Sequence, residues 1–575
     1  MLVASLLFAT GPWGSRAVAG KASFEKMACS IPEEQLLRTW HGIQYEHSGD
    51  VQVLPIEPNF LGGGLPHAGP WDYVQEIPMF WYGPGFIKAR GSVARPVTLA
   101  DIAPTQADIL QFDGFDAPDG EAMTEALDPA AKGKPPPRLL VTIVWDATGR
   151  DVLDTWKKDY PYLDSLIDEG TWYEHATLGA SPADTPPGHG SIGTGALPFN
   201  HGLLDQHQRI GNTMTGPWSN GPNLLILPTL ADLYDLAMDN KPKVGALSSL
   251  SSHLGMLGHG SMWGGGDKDI AVTHENLTEE GSDAGVEWGL RPGVNPWFRF
   301  PKYVNDFPPV QQYTREVDQQ DGAADGKWLT TPFTALQLGW DSPARTPYQT
   351  TAIEAVVKRE KFGKDKIPDL LFINYKVVDQ VGHKFSINSP EMADSVKVND
   401  DALRILVKFF NRQVGRHKWA LVLTADHGHQ FDPKVTGAYP INPKVMQPLL
   451  DEHFGGPVVQ EIRPTQIWLD HKEAQRLGVS ETEVSDYIMT LTKADIPTTD
   501  VTTPASEQGE KLFEAAFPTS VLARAPCLKG VPHGPTPPGR QPSEEVAAGA
   551  DQGSPSPKEP EPEPGGGGGQ VPASP

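Results

Sequence analysis

Three stretches of this chain are almost purely apolar and end on polar residues: Leu139 to Trp145 (LLVTIVW), Leu370 to Tyr375 (LLFINY) and Ala420 to Thr424 (ALVLT). A strand with one wet face alternates apolar and polar residues, so runs like these suit strands of a parallel sheet covered by helices on both faces. Helical patterns at 161–169, 228–238, 349–360, 391–412 and 471–494 accompany them. The alternation predicts an α/β fold, a doubly wound and mostly parallel sheet between helical layers. Ligands of such sheets bind beyond the carboxyl ends of the strands. Asp146, Asp379 and Asp426 all fall there.

The 575 residues suffice for one large domain with insertions, or for two to three smaller ones. A formal charge of −25 and the lack of any Lys/Arg-rich block argue against a grip on the nucleic-acid backbone. An acidic chain that handles phosphate needs metal to supply a positive field. With Cys29 and Cys527 as its only cysteines, the chain is not a disulfide scaffold and has no Cys-rich zinc site. Any metal must be held by Asp, His and hydroxyl groups.

Residues 1–20 hold a short apolar run and an Ala-Val-Ala stretch like a signal cleavage site, without the basic residues expected ahead of it. Export to the periplasm or outside and a cytoplasmic location both stay open. No later run approaches the roughly 20 apolar residues of a membrane span. Residues 116–137, rich in Pro, Ala and charge, are expected to be a surface linker, and 526–575 (Pro, Gly, Ser and Glu) a disordered tail.

Candidate chemistry gathers at the strand ends. Asp146 opens Asp-Ala-Thr-Gly, Asp379 and His383 form Asp-x-x-Gly-His, and Asp426-His427 precedes Gly428. Each alone has an ordinary structural explanation as a cap or turn. Together, at the carboxyl ends of strands in one sheet, they form a donor set for two divalent ions. Thr185 lies in SPADTPPGHGSIGTG, a turn running into a helix, where backbone N–H groups can face an anion. Hydrolysis of a phosphate ester needs charge stabilised on nonbridging oxygens, an activated hydroxyl and a cared-for leaving oxygen. Two ions about 4 Å apart supply all three.

These residues resemble the alkaline phosphatase superfamily, within it the type I phosphodiesterase and nucleotide pyrophosphatase branch. The matching pieces are WDATG (145–149), DTPPGHGSIGTGALPFNHG (184–202), NYKVVDQVGH (374–383) and TADHGH (424–429). The resemblance implies an alkaline phosphatase-like fold and a Thr185 nucleophile. It implies two zinc ions, other divalent metals being possible: one on Asp146, Thr185, Asp426 and His427, the other on Asp379, His383 and one more His. In the family that His follows the Asp-His pair, near a strand ending Tyr-Gly-Pro-Gly. Here the similar segment is GGGLPHAGPWDYVQEIPMFWYGPGF at 62–86, which makes His67 the missing ligand and implies a circular permutation. Residues 21–115 then form the permuted C-terminal element, 116–137 the old junction and 138–525 the main catalytic domain. His533, in VPHGPTPPG, is the rival.

Gln206 stands about where the family places a phosphoryl-binding Asn. Where monoesterase members carry a Lys and an Arg, ALSSLSSHLG (246–255) offers Ser and His, so a diester, pyrophosphate or nucleotide substrate fits better. The stretch 255–345, with Trp263, Trp288, Trp297 and Trp328, is expected to be a cap, either a lid whose aromatics stack on a base or a structural module. Asn276-Leu-Thr is a glycosylation triplet if the host glycosylates. A phosphomonoesterase on the same scaffold and a non-catalytic metal- or ligand-binding relative are the alternatives. A sulfatase lacks its Cys/Ser-x-Pro-x-Arg segment. Cys29 and Cys527 are expected as two free thiols, unless the permutation brings them together in an oxidising compartment.

Overall fold

The computed structural model describes residues 19–278, 285–320, 322–336 and 341–530. The signal-like stretch up to residue 18, the tail from 531 and His533 lie outside these. Nine strands build the main sheet: β1 (Met79–Tyr82), β2 (Gly91–Val93), β3 (Leu139–Trp145), β4 (Thr171–Tyr173), β5 (Val244–Leu247), β6 (Ile270–Asn276), β7 (Val286–Gly289), β8 (Asp369–Tyr375) and β9 (Trp419–Thr424). Their order is β7-β6-β5-β8-β3-β9-β1-β4-β2. The five from β6 to β9 are mutually parallel, and β1 runs antiparallel against β9.

Alternation along the buried strands explains their composition. In β3, Leu139, Val141, Ile143 and Trp145 face one core, while Leu140 and Val144 face the other. Both faces are dry, so no position is left for a solvated side chain. Thr142, the exception, is buried but accepts a 2.7 Å hydrogen bond from the Gln106 amide. The helix Pro390–Phe410 packs on the first of these cores. It starts where Ser389 caps Met392 N and Pro390 sets the first turn.

Three expectations need correction. The pattern at 471–494 is two helices, His471–Leu477 and Glu481–Ile488, because Gly478 turns left-handed (φ 70°) and Ser480 caps a new start. The stretch expected as a cap gives β6 and β7 to the main sheet, and Trp288 is buried with its indole N–H on Tyr348. Residues 116–137 run mostly over the surface and are pinned there: Met123 and Ala126 are buried, and Asp119 accepts from Leu197 N and Asn200. Cys29 and Cys527 are not free thiols but a disulfide with Cα atoms 5.8 Å apart.

A second, antiparallel sheet weaves the ends together. Val51–Pro55 lies between Gln466–Leu469 and Phe513–Pro518, with Val459–Arg463 at its edge. Residues 51–55 thus pair with strands more than 400 residues later, and this sheet carries its own core. No helix among the described residues is long and apolar enough to cross a membrane.

Candidate functional site

Register places the site. Tyr375 pairs with Trp145 and Thr424 with Val144, so β8, β3 and β9 end side by side. The chain leaves them at Asp146, Lys376 and Asp426. Ala147 turns left-handed (φ 55°), a conformation costly for a residue with a Cβ, and its N–H donates to Asp426 Oδ1 at 3.0 Å. Helix α1 (Thr185–Thr194) starts at this edge and is buried throughout. A Cβ on Gly188 would stand 2.9 Å from that of Asp426, which is why glycine lets the helix approach the strand end so closely.

The start of α1 differs from expectation. Thr185 N–H donates to its cap, Asp184, Pro186 and Pro187 have no N–H, and Gly188 N–H returns to the Asp184 carbonyl. The first turn therefore has no free backbone donor for an anion. The Gln206 amide, expected on a phosphoryl oxygen, donates to Asp184 Oδ1 at 2.9 Å. Arg463 reaches the same Asp184 (3.2 Å) and Asp205 (2.9 Å).

Three imidazoles show what the donor set is built for. Nδ1–H of His67 donates to Ala183 O (2.7 Å), that of His383 to Leu65 O (2.9 Å) and that of His427 to Gly428 O (2.8 Å). A carbonyl only accepts, so each ring's proton is fixed at Nδ1 and the neutral ring offers a bare Nε2. Those of His67 and His383 lie 3.3 and 3.4 Å from Asp379 Oδ1, and that of His427 lies 3.4 Å from Asp426 Oδ2. Both carboxylate oxygens are buried and accept no hydrogen bond. Lone pairs facing lone pairs repel unless a cation lies among them, so the residues fit metal binding. The groups are His67, Asp379 and His383 on one side, and Asp146, Asp426 and His427 with the Thr185 hydroxyl, 3.4 Å from His427, on the other.

The charges agree at two of the three rings. Burial pushes the pKa values of His67 and His427 down, which favours the neutral, ligating form, whereas at His383 the Asp379 carboxylate outweighs burial and raises it. Burial opposes ionisation of Asp146 and Asp379, yet the Lys376 ammonium outweighs it and holds both below the ordinary carboxylate range. Asp426 is pushed up to about 7 by burial and by the neighbouring Asp146.

Sequence reasoning missed several residues here. His253 receives N–H groups from Ser249 and Leu250 on Nδ1, so its Nε2–H faces Asp146 Oδ2 at 3.2 Å. His189 donates from Nδ1 to Thr185 O, and Asn374 donates to His189 Nε2 (3.0 Å) and to Asp146 Oδ2 (2.8 Å). Both ring nitrogens of His189 are thus engaged, while Nε2 of His253 faces Asp146 without a hydrogen bond. His429 accepts Gln430 N–H on Nδ1. Lys376 Nζ donates to Asp146 Oδ1 (2.8 Å), Asp379 Oδ2 (2.9 Å) and Thr185 Oγ1 (3.1 Å). The signal was present as a lysine ending a fully buried strand, where only a paired charge is tolerated.

The site opens into a cavity of about 580 Å³ lined by Thr185, His67, Lys376, Gln206 and Arg463. From the expected cap, Glu275 and Asn276 line it; none of Trp263, Trp288, Trp297 or Trp328 does among the described residues. Aromatic stacking from that stretch is thus not built into the cavity wall.

A doubly wound sheet with carboxylates, imidazoles and a hydroxyl at its carboxyl edge marks a hydrolase of phosphoric ester bonds. The chain belongs to the type I phosphodiesterase / nucleotide pyrophosphatase family, whose model matches residues 140–526. It is 24% identical over 456 residues, 68% of this chain and 78% of the other, to the alkaline phosphatase PafA of Elizabethkingia meningoseptica. To the alkaline phosphatase PhoV of Synechococcus elongatus it is 22% identical, over 52% of this chain and 60% of that one. Among solved structures, that of wild-type PafA superposes with a TM-score of 0.47 at 19% identity, covering 67% of this chain and 85% of that one. His67 lies outside the matched span.

Proposed function

We propose that the chain is a two-metal phosphodiesterase or nucleotide pyrophosphatase with Thr185 as its nucleophile. The observation that carries this reading is the convergence of bare imidazole nitrogens on two unpartnered carboxylate oxygens beside a buried hydroxyl. Asp379, His383 and His67 would hold one ion, and Asp146, Asp426, His427 and Thr185 the other. Bound zinc supplies Lewis acidity toward the hydroxyl and the phosphoryl oxygens. The Thr185 hydroxyl gives its proton to solvent, Oγ1 forms the bond to phosphorus as the bond to the leaving oxygen breaks, and water then cleaves the phosphothreonine and returns a proton to Oγ1.

His67 reaches the site from the N-terminal side of the family match, and β1, a dozen residues on, runs antiparallel beside the Asp426 strand β9. That arrangement supports a circular permutation in which residues 21–115 act as the last element of the catalytic domain. A small-molecule diester or nucleotide suits a cavity whose wall offers few cations. The Cys29–Cys527 bond supports an oxidising compartment, periplasmic or secreted.

The test is metal content per chain together with hydrolysis of bis-p-nitrophenyl phosphate and p-nitrophenyl phosphate, for wild type and Thr185→Ala. Two ions, faster diester turnover and its loss in Thr185→Ala are expected. Faster monoester turnover would replace this reading by the phosphomonoesterase suggested by the relatives' names. Full activity in Thr185→Ala would remove the nucleophile assignment.

A further inference from the structure

The nonbridging oxygens of the phosphoryl group call for donors beside the metals, and several candidates are partly engaged elsewhere. The first turn of α1 has no free N–H. The Gln206 amide reaches back to Asp184. The stretch 246–255, which offers Ser and His in place of a cationic clamp, sends His253 to the back of Asp146. Arg463 lines the cavity, but its guanidinium is tied to Asp184 and Asp205.

Lys376 stands where those donors do not. It follows β8 directly, is 4% exposed, lines the cavity beside Thr185 and donates to Thr185 Oγ1 from 3.1 Å. It pairs with Asp146 Oδ1 and Asp379 Oδ2, one carboxylate from each candidate metal group, and among the described residues makes no ion pair with Asp426. On Asp379 it takes the oxygen opposite the one that His67 and His383 face. The ammonium therefore stands away from the imidazole face of Asp379 but beside Asp146 Oδ1 and the Thr185 hydroxyl, two donors of the second candidate group.

We propose that Lys376 is a catalytic residue of this site: its ammonium binds a nonbridging oxygen of the phosphoryl group as Thr185 Oγ1 attacks. The proposal rests on the two-metal phosphoester reading above. As the bond from Oγ1 to phosphorus forms, one N–H turns from Oγ1 to the adjacent phosphoryl oxygen, and no proton leaves the nitrogen. A fixed charge preorganised at that point is worth most in the transition state, where charge on the oxygens is greatest.

The experiment compares wild type with Lys376→Gln and Lys376→Arg in metal content, kcat and KM for bis-p-nitrophenyl phosphate, and inhibition by inorganic phosphate. Lys376→Gln is expected to keep both ions, lose about 10²- to 10³-fold in kcat as for removal of one oxyanion donor, and bind phosphate at least tenfold more weakly. Lys376→Arg should recover part of the loss in kcat. Wild-type turnover and phosphate inhibition in Lys376→Gln would overturn the proposal. So would loss of metal, which would mark Lys376 as a brace for the carboxylates. If the glutamine variant does not fold, Lys376→Arg carries the test: its phosphate inhibition constant shifts if the side chain touches phosphate and stays at the wild-type value if it does not. A wild-type protein that turns over neither ester fells the parent reading, and that shows before any substitution is made.

Discussion

The Nε2 of His67 faces Asp379 Oδ1 from 3.3 Å, and the proton that would make this an ordinary hydrogen bond is committed at Nδ1 to the Ala183 carbonyl. The two residues are more than 300 positions apart and meet around a space suited to a cation. His67→Ala is expected to lower metal content by one ion per chain and kcat/KM by at least about 100-fold. His533→Ala should match wild type in both. Metal analysis and diester kinetics on the two variants decide between them; equal behaviour would send the search for the ligand elsewhere.

Behind Asp146, Asn374 donates to Oδ2, and the Nε2 of His253 faces the same oxygen at 3.2 Å. Groups of this kind fix the orientation of a ligating carboxylate, and their removal typically costs 10- to 100-fold in metal affinity. Asn374→Ala and His253→Ala are expected to weaken zinc binding within that range, measured by competition with a chelator, while leaving the number of ions at saturation unchanged. A loss of one ion at saturating zinc would make His253 a ligand itself.

The sheet was legible because burial on both faces writes itself into consecutive residues, as in LLVTIVW. The candidate ligands were legible because Asp146 and Asp426 stand just past the ends of two buried strands. The break at Gly478 was not, since a Gly-Val-Ser insertion barely disturbs a helical pattern of apolar residues. The Cys29–Cys527 bond spans 498 residues, and no local pattern encodes a contact of that range. His189, His253 and Asn374 act through ring tautomers and backbone geometry that exist only after folding. Lys376 was visible in INYKVVD, but its role appeared only once three separate segments put Asp146, Asp379 and Thr185 around it.

His201 gives a stability response to pH that is separable from the metal site. It is fully buried, accepts Leu203 N–H on Nδ1 at 3.1 Å and has its pKa pushed down to about 3 by burial. The unfolded chain takes up this proton near pH 6.5, whereas the folded chain does not until about pH 3. The unfolded state therefore binds more protons between these values, and stability falls as pH drops through 6.5. At pH 5 the cost for this group alone is about 2 kcal/mol. Thermal unfolding at pH 7.5 and pH 5 is expected to show a smaller drop in His201→Gln than in wild type; an equal drop would assign the acid sensitivity to other groups.

The Cys29–Cys527 bond joins the segment after the N-terminal helix to the chain just past the last strand of the second sheet, Phe513–Pro518. That sheet holds Val51–Pro55, and the chain leading from it carries His67 to Asp379. Opening the bond frees the ends of the unfolded chain and so favours unfolding, typically by about 2–4 kcal/mol. A Cys29→Ser, Cys527→Ser double variant is accordingly expected to melt several degrees lower than wild type, and a reductant should lower the melting temperature of wild type but not of the variant. Because Val51–Pro55 remains paired on both sides, diester turnover at 25 °C should change less than twofold. A large loss of turnover at that temperature, with the fold intact by circular dichroism, would mean that the bond itself positions His67.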